Sequence, residues 1–400
     1  MLKKIDEGMK FRHFDAIMVF GDNTYENPEL YYLVGSNLPR GGIYIKKIYE
    51  SPILIVSDVD FYNAKRSKIK NIKTFSSYGY DSMVKELGEL KALVSLCDKI
   101  LKDNSIKGRI GIFGKYHSSL IINIVDELRK LGYQIVGDKP PTLIDEVREV
   151  KSQEEILMIK NVGDKTQKVM QKAIEFLANC KKFNKKLRYK GEKLKVGKIK
   201  SFIRTWLSQE NLQMPYDLIF AVGVHTSDPH YFGMDEDLIK TNEPIVFDLF
   251  PRGTEGYWFD LTRTFSIGKP NRKILKMYEL VKEAQLLALE SLKEGIMAKE
   301  IMELVCDFFE KNGYLTPRTL LFMHKRKGFL HSLGHGVGLT IGEKPFLSLS
   351  SNDKLKRGSV FTIEPGLYDP KVGGVRLEDV IVIESKRIKN LTWIEREIQI

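Results

Sequence analysis

Four acidic residues interrupt apolar, strand-like runs in the second half of the chain: Asp248 within residues 244–250, Asp260 within 258–265, Glu364 at the end of 359–364, and Glu378 within 375–383. A carboxylate on an apolar strand is costly to bury unless it is paired or holds a cation. Asp248 and Asp260 sit on consecutive runs joined by the turn-rich segment 251–256, and their even separation can place both on one face of a hairpin. Side by side they would repel and raise each other's pKa, unless a cation lies between them. Taken alone, the pair fits one exposed and one capped aspartate equally well, and Glu364 and Glu378 could be edge-strand glutamates in solvent. Five of the seven histidines fall between residues 225 and 335, and His335 is flanked by glycines that let the backbone approach a neighbour closely. Four carboxylates and one imidazole suit a pair of divalent ions such as Mn, Co, Fe or Zn, and the oxygen-rich set argues against a soft-thiolate metal. Two such ions can share a hydroxide and make it nucleophilic near neutral pH.

The elements that must carry these residues follow from pattern. Residues 15–20, 51–56 and 109–113 are apolar runs of strand length, residues 30–35 read as a helix or turn ending at Gly35, and residues 120–131 have helical periodicity stopped at Gly132. Strands alternating with helices predict an α/β layer in the first third. Pro140 and Pro141 mark a connection between domains, and Ser152 with Glu155 gives a capping-box signature ahead of a helical face through Ile156, Ile159, Val162, Val169 and Leu177. Beyond it, helices over 273–291 and 298–311 lie between strand pairs, which predicts an α+β domain. The domains expected are residues 1–142 and 143–400.

Composition narrows the class. The 400 residues are 42% hydrophobic and 29% charged, typical of folded globular chains too long for one core. No run of 18 apolar residues occurs and the start has no apolar secretory core, so a cytoplasmic protein with no membrane partner is expected. Cys97, Cys180 and Cys306 are too far apart for a zinc knuckle and odd in number, and read as free thiols. Net charge is +12, and residues 181–200 hold ten Lys/Arg against one Glu. With only Phe183 and Tyr189 interleaved, that run reads as a solvated loop or helix surface, and nucleic acid is not expected as a partner.

The ordered set Asp248, Asp260, His335, Glu364, Glu378 with its flanks resembles the metallopeptidase superfamily of methionine aminopeptidase, prolidase and aminopeptidase P. The flanks are Val-Phe-Asp-Leu, Trp-Phe-Asp-Leu-Thr-Arg-Thr-Phe, His-Ser-Leu-Gly-His-Gly-Val-Gly-Leu, Phe-Thr-Ile-Glu-Pro-Gly-Leu-Tyr and Gly-Val-Arg-Leu-Glu-Asp. The resemblance implies a "pita-bread" catalytic domain over roughly residues 150–400, with those five residues as metal ligands. The first 140 residues resemble, more loosely, the creatinase-like α/β domain of prolidases and aminopeptidase P, which tilts the implied substrate toward peptides with proline second. By the same resemblance His230 donates to substrate or the tetrahedral intermediate, His331 lines the pocket, and Arg376 supports a ligand or meets a substrate carboxylate. Glu364, a ligand, also moves the proton from water to the leaving nitrogen. A homodimer is expected because the superfamily is often dimeric.

One departure stands out. Where the family reads Gly-His-Gly-x-Gly-Leu-x-x-His-Glu, this chain has Gly342 in place of the second histidine. The expected function is metal-dependent Xaa-Pro hydrolysis. The alternative is a catalytically weak, metal-binding homologue that recognises peptides, proteins or RNA.

Overall fold

A computed structural model describes residues 1–319, 327–385 and 387–400. The chain forms two compact units, Met1–Arg148 and Glu149–Ile400.

The first unit is built on a six-stranded mixed sheet in the order Asn71–Thr74, Ile53–Val56, Gly42–Lys47, Ala16–Gly21, Arg109–Lys115, Gln134–Gly137. Its central strand, Ala16–Gly21, is buried along its whole length, which explains its unbroken apolar sequence. The helix Pro28–Val34 opens with proline beside the Asn27 cap, whose side chain accepts from Leu30 N–H, and closes on Gly35 at φ 68°. The helix Glu89–Asp103 buries Leu96, Cys97 and Ile100 against Met18, Phe20 and Ile45 of the sheet.

The second unit opens with the 26-residue helix Gln153–Ala178, started by the Ser152–Glu155 capping box. Its buried Gln167 accepts from the backbone N–H groups of Trp393 and Ile394 and donates to Leu391 O, fixing the C-terminal segment. Ile219–Val222, Ile245–Leu249 and Leu261–Phe265 form an antiparallel sheet. A five-stranded sheet runs Ile341–Leu347, Gly334–Val337, Val360–Ile363, Asp379–Ile383, Ile388–Asn390, and a separate hairpin pairs Gly366–Asp369 with Gly373–Arg376. The helices Arg272–Ser291 and Ala298–Lys311 cover these strands. Val281, Met302 and Phe309 pack with Phe361, Leu367 and Val375 in one core.

Three expectations need correction. The basic run is only partly loop or helix surface: its first part forms three short antiparallel strands, Lys181–Phe183, Lys186–Tyr189 and Glu192–Lys193, and only its end enters the helix Val196–Gln209. The run 375–383 is not one strand, because Glu378 falls between Gly373–Arg376 and Asp379–Ile383, which belong to different sheets. Asp260 lies one residue before its strand rather than inside it, since the backbone N–H of Trp258 turns away to Gly338 O. Among the described residues, no helix is long and apolar enough to cross a membrane.

Candidate metal centre

Asp248 sits inside the strand Ile245–Leu249 and faces Thr262 across the pairing with Leu261–Phe265. Residues 260 and 262 share one side of that strand's path, so the two aspartates and the Thr262 hydroxyl point the same way. Glu364 follows the last residue of Val360–Ile363 and Glu378 precedes the first of Asp379–Ile383. These two strands pair with Ile363 opposite Asp379, so the two glutamates leave the sheet at the same end. His335 lies on Gly334–Val337, the next strand, where its backbone N–H donates to the Thr362 hydroxyl and that hydroxyl donates to Glu364 Oε1. The flanking glycines are required by space: a Cβ on Gly334 would lie 2.0 Å from Thr362 O, and one on Gly336 2.2 Å from Lys344 O.

The five groups converge. His335 Nε2 is 3.4 Å from Glu364 Oε1 and 3.7 Å from Asp260 Oδ2. Ligand atoms of Asp260, His335 and Glu378 all lie within 4.8 Å of one another. Asp248, Asp260 and Glu378 are buried, and Asp248 Oδ1, Asp260 Oδ1 and Glu378 Oε1 have no hydrogen-bond partner among the described residues. Burial pushes the Asp260 and Glu378 carboxyls well above the ordinary range, with repulsion from neighbouring carboxylates adding to it. Burial likewise pushes Glu364 up to about 7, against the pull of Arg376 and Thr362. Orphaned, mutually repelling buried oxygens beside one imidazole are a poor protein interior and a good cation cage, and the oxygen-rich donor set fits hard-to-borderline divalent ions.

The surroundings hold the cage in shape. Arg376 is buried and donates from Nη2 to Asp248 Oδ2 at 2.7 Å, from Nε to the Thr262 hydroxyl at 3.2 Å, and from Nη1 to the Tyr368 hydroxyl at 3.0 Å and Pro229 O at 3.2 Å. Thr262 Oγ1 in turn donates to Glu378 Oε2 at 2.7 Å. On the far side of Glu378, buried Arg263 donates to Glu378 O and forms an ion pair with Asp379 at 2.8 Å. Trp258 donates from its indole to Leu339 O and from its backbone to Gly338 O, tying the approach to Asp260 to the turn after His335. That turn is fixed by a buried ion pair, Lys151 to Glu343 at 2.6 Å.

Each sequence-stated site residue can now be placed. His331 Nδ1 faces Ser332 O at 2.8 Å, a pure acceptor, so Nδ1 carries the proton and Nε2 accepts from the Tyr368 hydroxyl at 2.9 Å. Burial and then Arg376 push its pKa down to about 3, which keeps the ring neutral. His230 is exposed; its neighbour Pro229 is the carbonyl that Arg376 grips, and its backbone N–H donates to Asp228 Oδ1. Gly342 is exposed at φ 78°, with open space where a Cβ would lie; its N lies 3.3 Å from His335 Nδ1, which also faces Gly336 O at 3.2 Å. Tyr368 and Thr262 were not read from the sequence as site residues. Their signals were present: a tyrosine four residues after Glu364, and a hydroxyl two residues after Asp260 on the same face.

Antiparallel sheets under paired helices, with acids from two sheets meeting one imidazole, define a pita-bread hydrolase domain behind an α/β domain. The chain belongs to metallopeptidase family M24, whose profile matches residues 158–385; membership implies bound metal ions. It is 32% identical over 398 residues to the Xaa-Pro dipeptidase of Pyrococcus horikoshii, spanning 99% of this chain and 98% of that one. It is 31% identical to the Xaa-Pro dipeptidase of Pyrococcus furiosus, spanning 92% of each. The crystal structure of the prolidase from Pyrococcus horikoshii OT3 matches with a TM-score of 0.77 at 28% identity, over 99% of this chain and 98% of that one.

Proposed function

We propose that the chain is a dimetal hydrolase of the Xaa-Pro peptide bond, acting on dipeptides or peptide N-termini. The observation that carries this reading is the approach of Asp260, His335 and Glu378 ligand atoms to within 4.8 Å of one another, with Glu364 3.4 Å from His335 and three orphaned buried oxygens on Asp248, Asp260 and Glu378. Full-length similarity to proteins named Xaa-Pro dipeptidase supports the substrate class. Asp248, Asp260, His335, Glu364 and Glu378 would hold two ions drawn from Mn, Co, Fe or Zn. When bound, these ions supply Lewis acidity to the scissile carbonyl and acidify a water.

The chain's own residues do the rest. Glu364 takes the proton from the attacking water as the C–O bond forms and hands it to the prolyl nitrogen as the C–N bond breaks. His230, exposed beside the Arg376 anchor, donates to the oxygen that gains charge. His331 has both ring nitrogens engaged, so it acts by orienting Tyr368 rather than by donating to substrate. Arg376 holds Asp248 in the orientation the cage needs. A homodimer is the proposed assembly.

The test is turnover of metal-loaded protein with Ala-Pro and with Ala-Pro-Ala. Release of free alanine from the first but not the second identifies a dipeptidase; release from both identifies an aminopeptidase. Glu364→Gln should abolish release, and Glu378→Ala should lower the bound metal from two toward one per chain by elemental analysis. A second reading, a metal-holding homologue with little turnover, is favoured by the bare backbone at Gly342. Absence of release with all four metals, alongside full metal loading, would establish it.

A further inference from the structure

Away from the cage, the second unit carries a basic cleft that Xaa-Pro hydrolysis does not use. The strands Lys186–Tyr189 and Glu192–Lys193 and the helix Val196–Gln209 enclose a surface cavity of about 460 Å³. Its walls include Tyr189, Lys190, Lys193, Lys195, Lys198 and Phe202. The acids nearby include Glu192 on the wall, Glu236, which pairs with Lys195, and Asp235, whose side chain lies against Gly197; no ion pair engages Lys190, Lys193 or Lys198 among the described residues. Further lysines extend the positive surface along the exposed strand Lys181–Phe183.

The sequence run alone shows few rings, but the fold adds three from outside it. Phe176 on the helix Gln153–Ala178 and Phe202 on Val196–Gln209 pack with Tyr189 at centroid distances of 5.1 and 5.6 Å, and Trp206 packs on Phe176 and Phe202 at 6.2 and 5.9 Å. Cations lie over these half-buried rings: Lys198 Nζ is 4.8 Å from the Phe202 centroid, Lys172 4.8 Å from Trp206 and Lys190 5.6 Å from Tyr189. Beside them Arg188 lies 4.9 Å from exposed Phe183.

We propose that this cleft binds single-stranded nucleic acid, with bases against the aromatic cluster and phosphates on the lysines. A π-face beside a mobile ammonium matches a nucleotide, whose base takes the ring while the ammonium moves to the phosphate. An acidic peptide would satisfy the charges and leave the rings unused. The lysines that dominate the wall only donate and are flexible, so binding is independent of sequence. The positive surface beyond the cavity calls for a strand rather than a free nucleotide.

The test is fluorescence anisotropy of the full-length protein with a labelled oligothymidylate of about 15 nucleotides, titrated at several salt concentrations. Saturable binding at low salt that falls log-linearly with added salt is expected. The triple variant K190Q/K193Q/K198Q should flatten the slope by about 2, since each phosphate contact on a single strand contributes about 0.7. Phe202→Leu keeps the apolar volume, so an unchanged melting temperature can be verified; it should weaken binding about tenfold while leaving the slope unaltered. Tyr189→Leu provides the same readout should Phe202→Leu fail to fold. No binding at low salt would overturn the proposal. So would an affinity indifferent to both ring variants with equal competition by polyglutamate, which would identify an acidic polypeptide surface instead.

Discussion

Arg376 Nη2 lies 2.7 Å from Asp248 Oδ2, and the same guanidinium reaches Tyr368 at 3.0 Å. One fork thus orients a carboxylate of the candidate cage and a phenol at once. Burial works against its charge, but Tyr368, Asp248 and the two glutamates outweigh that cost and keep it protonated. Lysine cannot reproduce the geometry, because an ammonium offers a point charge in place of a planar fork.

Arg376→Lys should therefore lower kcat/KM for Ala-Pro by about 10- to 100-fold. The measurement is made at saturating metal, so that loss of orientation is separated from loss of ions. Activity within twofold of the parent would remove Arg376 from the proposed mechanism.

The hydroxyl of Tyr368 accepts from Arg376 and donates to His331 Nε2, so the two side chains form one unit. Tyr368→Phe and His331→Ala should each reduce kcat, by about 10²-fold, a typical loss for a positioned group. The double variant should be little worse than either single one, because coupled residues are not additive. Additive losses would mean that His331 reaches substrate directly.

Acidity should act in opposite senses on the fold and on its ions. Asp260, Glu364 and Glu378 all have raised carboxyl pKa values in the metal-free fold. A raised group stabilises the fold below its unfolded value, near 4.5 for Glu364, and that contribution is lost as pH rises through the folded value, about 7. His331 opposes this: its value drops from 6.5 to about 3, so its contribution is present above 6.5 and lost as pH falls. With three carboxyls against one imidazole, the metal-free protein should lose melting temperature between about pH 5 and pH 8, while ionised ligands bind ions more tightly over the same range. The melting shift on adding Mn should thus grow with pH, and calorimetry in buffers of different ionisation enthalpy should show protons released on binding.

Gly342 separates strain from chemistry. Its φ of 78° disfavours any side chain, although open space surrounds the missing Cβ. Gly342→Ala and Gly342→His should each cost about 1–2 kcal/mol of stability, measured by denaturant melts. Only the histidine should raise kcat. An equal change from alanine would mean that the backbone, not the absent imidazole, sets the rate.

The four candidate acids were legible in the sequence because each contradicts its apolar surroundings, and such contradictions are local. The helix Pro28–Val34 and the capping box at Ser152 were legible for the same reason: a cap and a stop are written within a few residues. The break at Glu378 was not, since Gly373–Arg376 and Asp379–Ile383 join different sheets and only non-local pairing decides that. The strands in the basic run were hidden because its strand Lys186–Tyr189 buries Leu187 alone, leaving no alternation to read. Tyr368 belongs to the site only through Arg376 and His331, partners that its neighbours in sequence do not announce.

Glu378 and Asp379 are adjacent acids with opposite fates: one faces the cage and the other is buried against Arg263. A slip of one residue would put Asp379 in the place of Glu378, and the charge in the cage alone could not tell the correct arrangement from the wrong one. Arg263 can, because it grips the Glu378 carbonyl and the Asp379 carboxylate together. A misaligned chain would leave a buried guanidinium facing apolar Val380 and an acid stranded without a counterion. The Arg263–Asp379 pair thus sets which of the two adjacent acids faces the cage, through contacts that involve no metal ion.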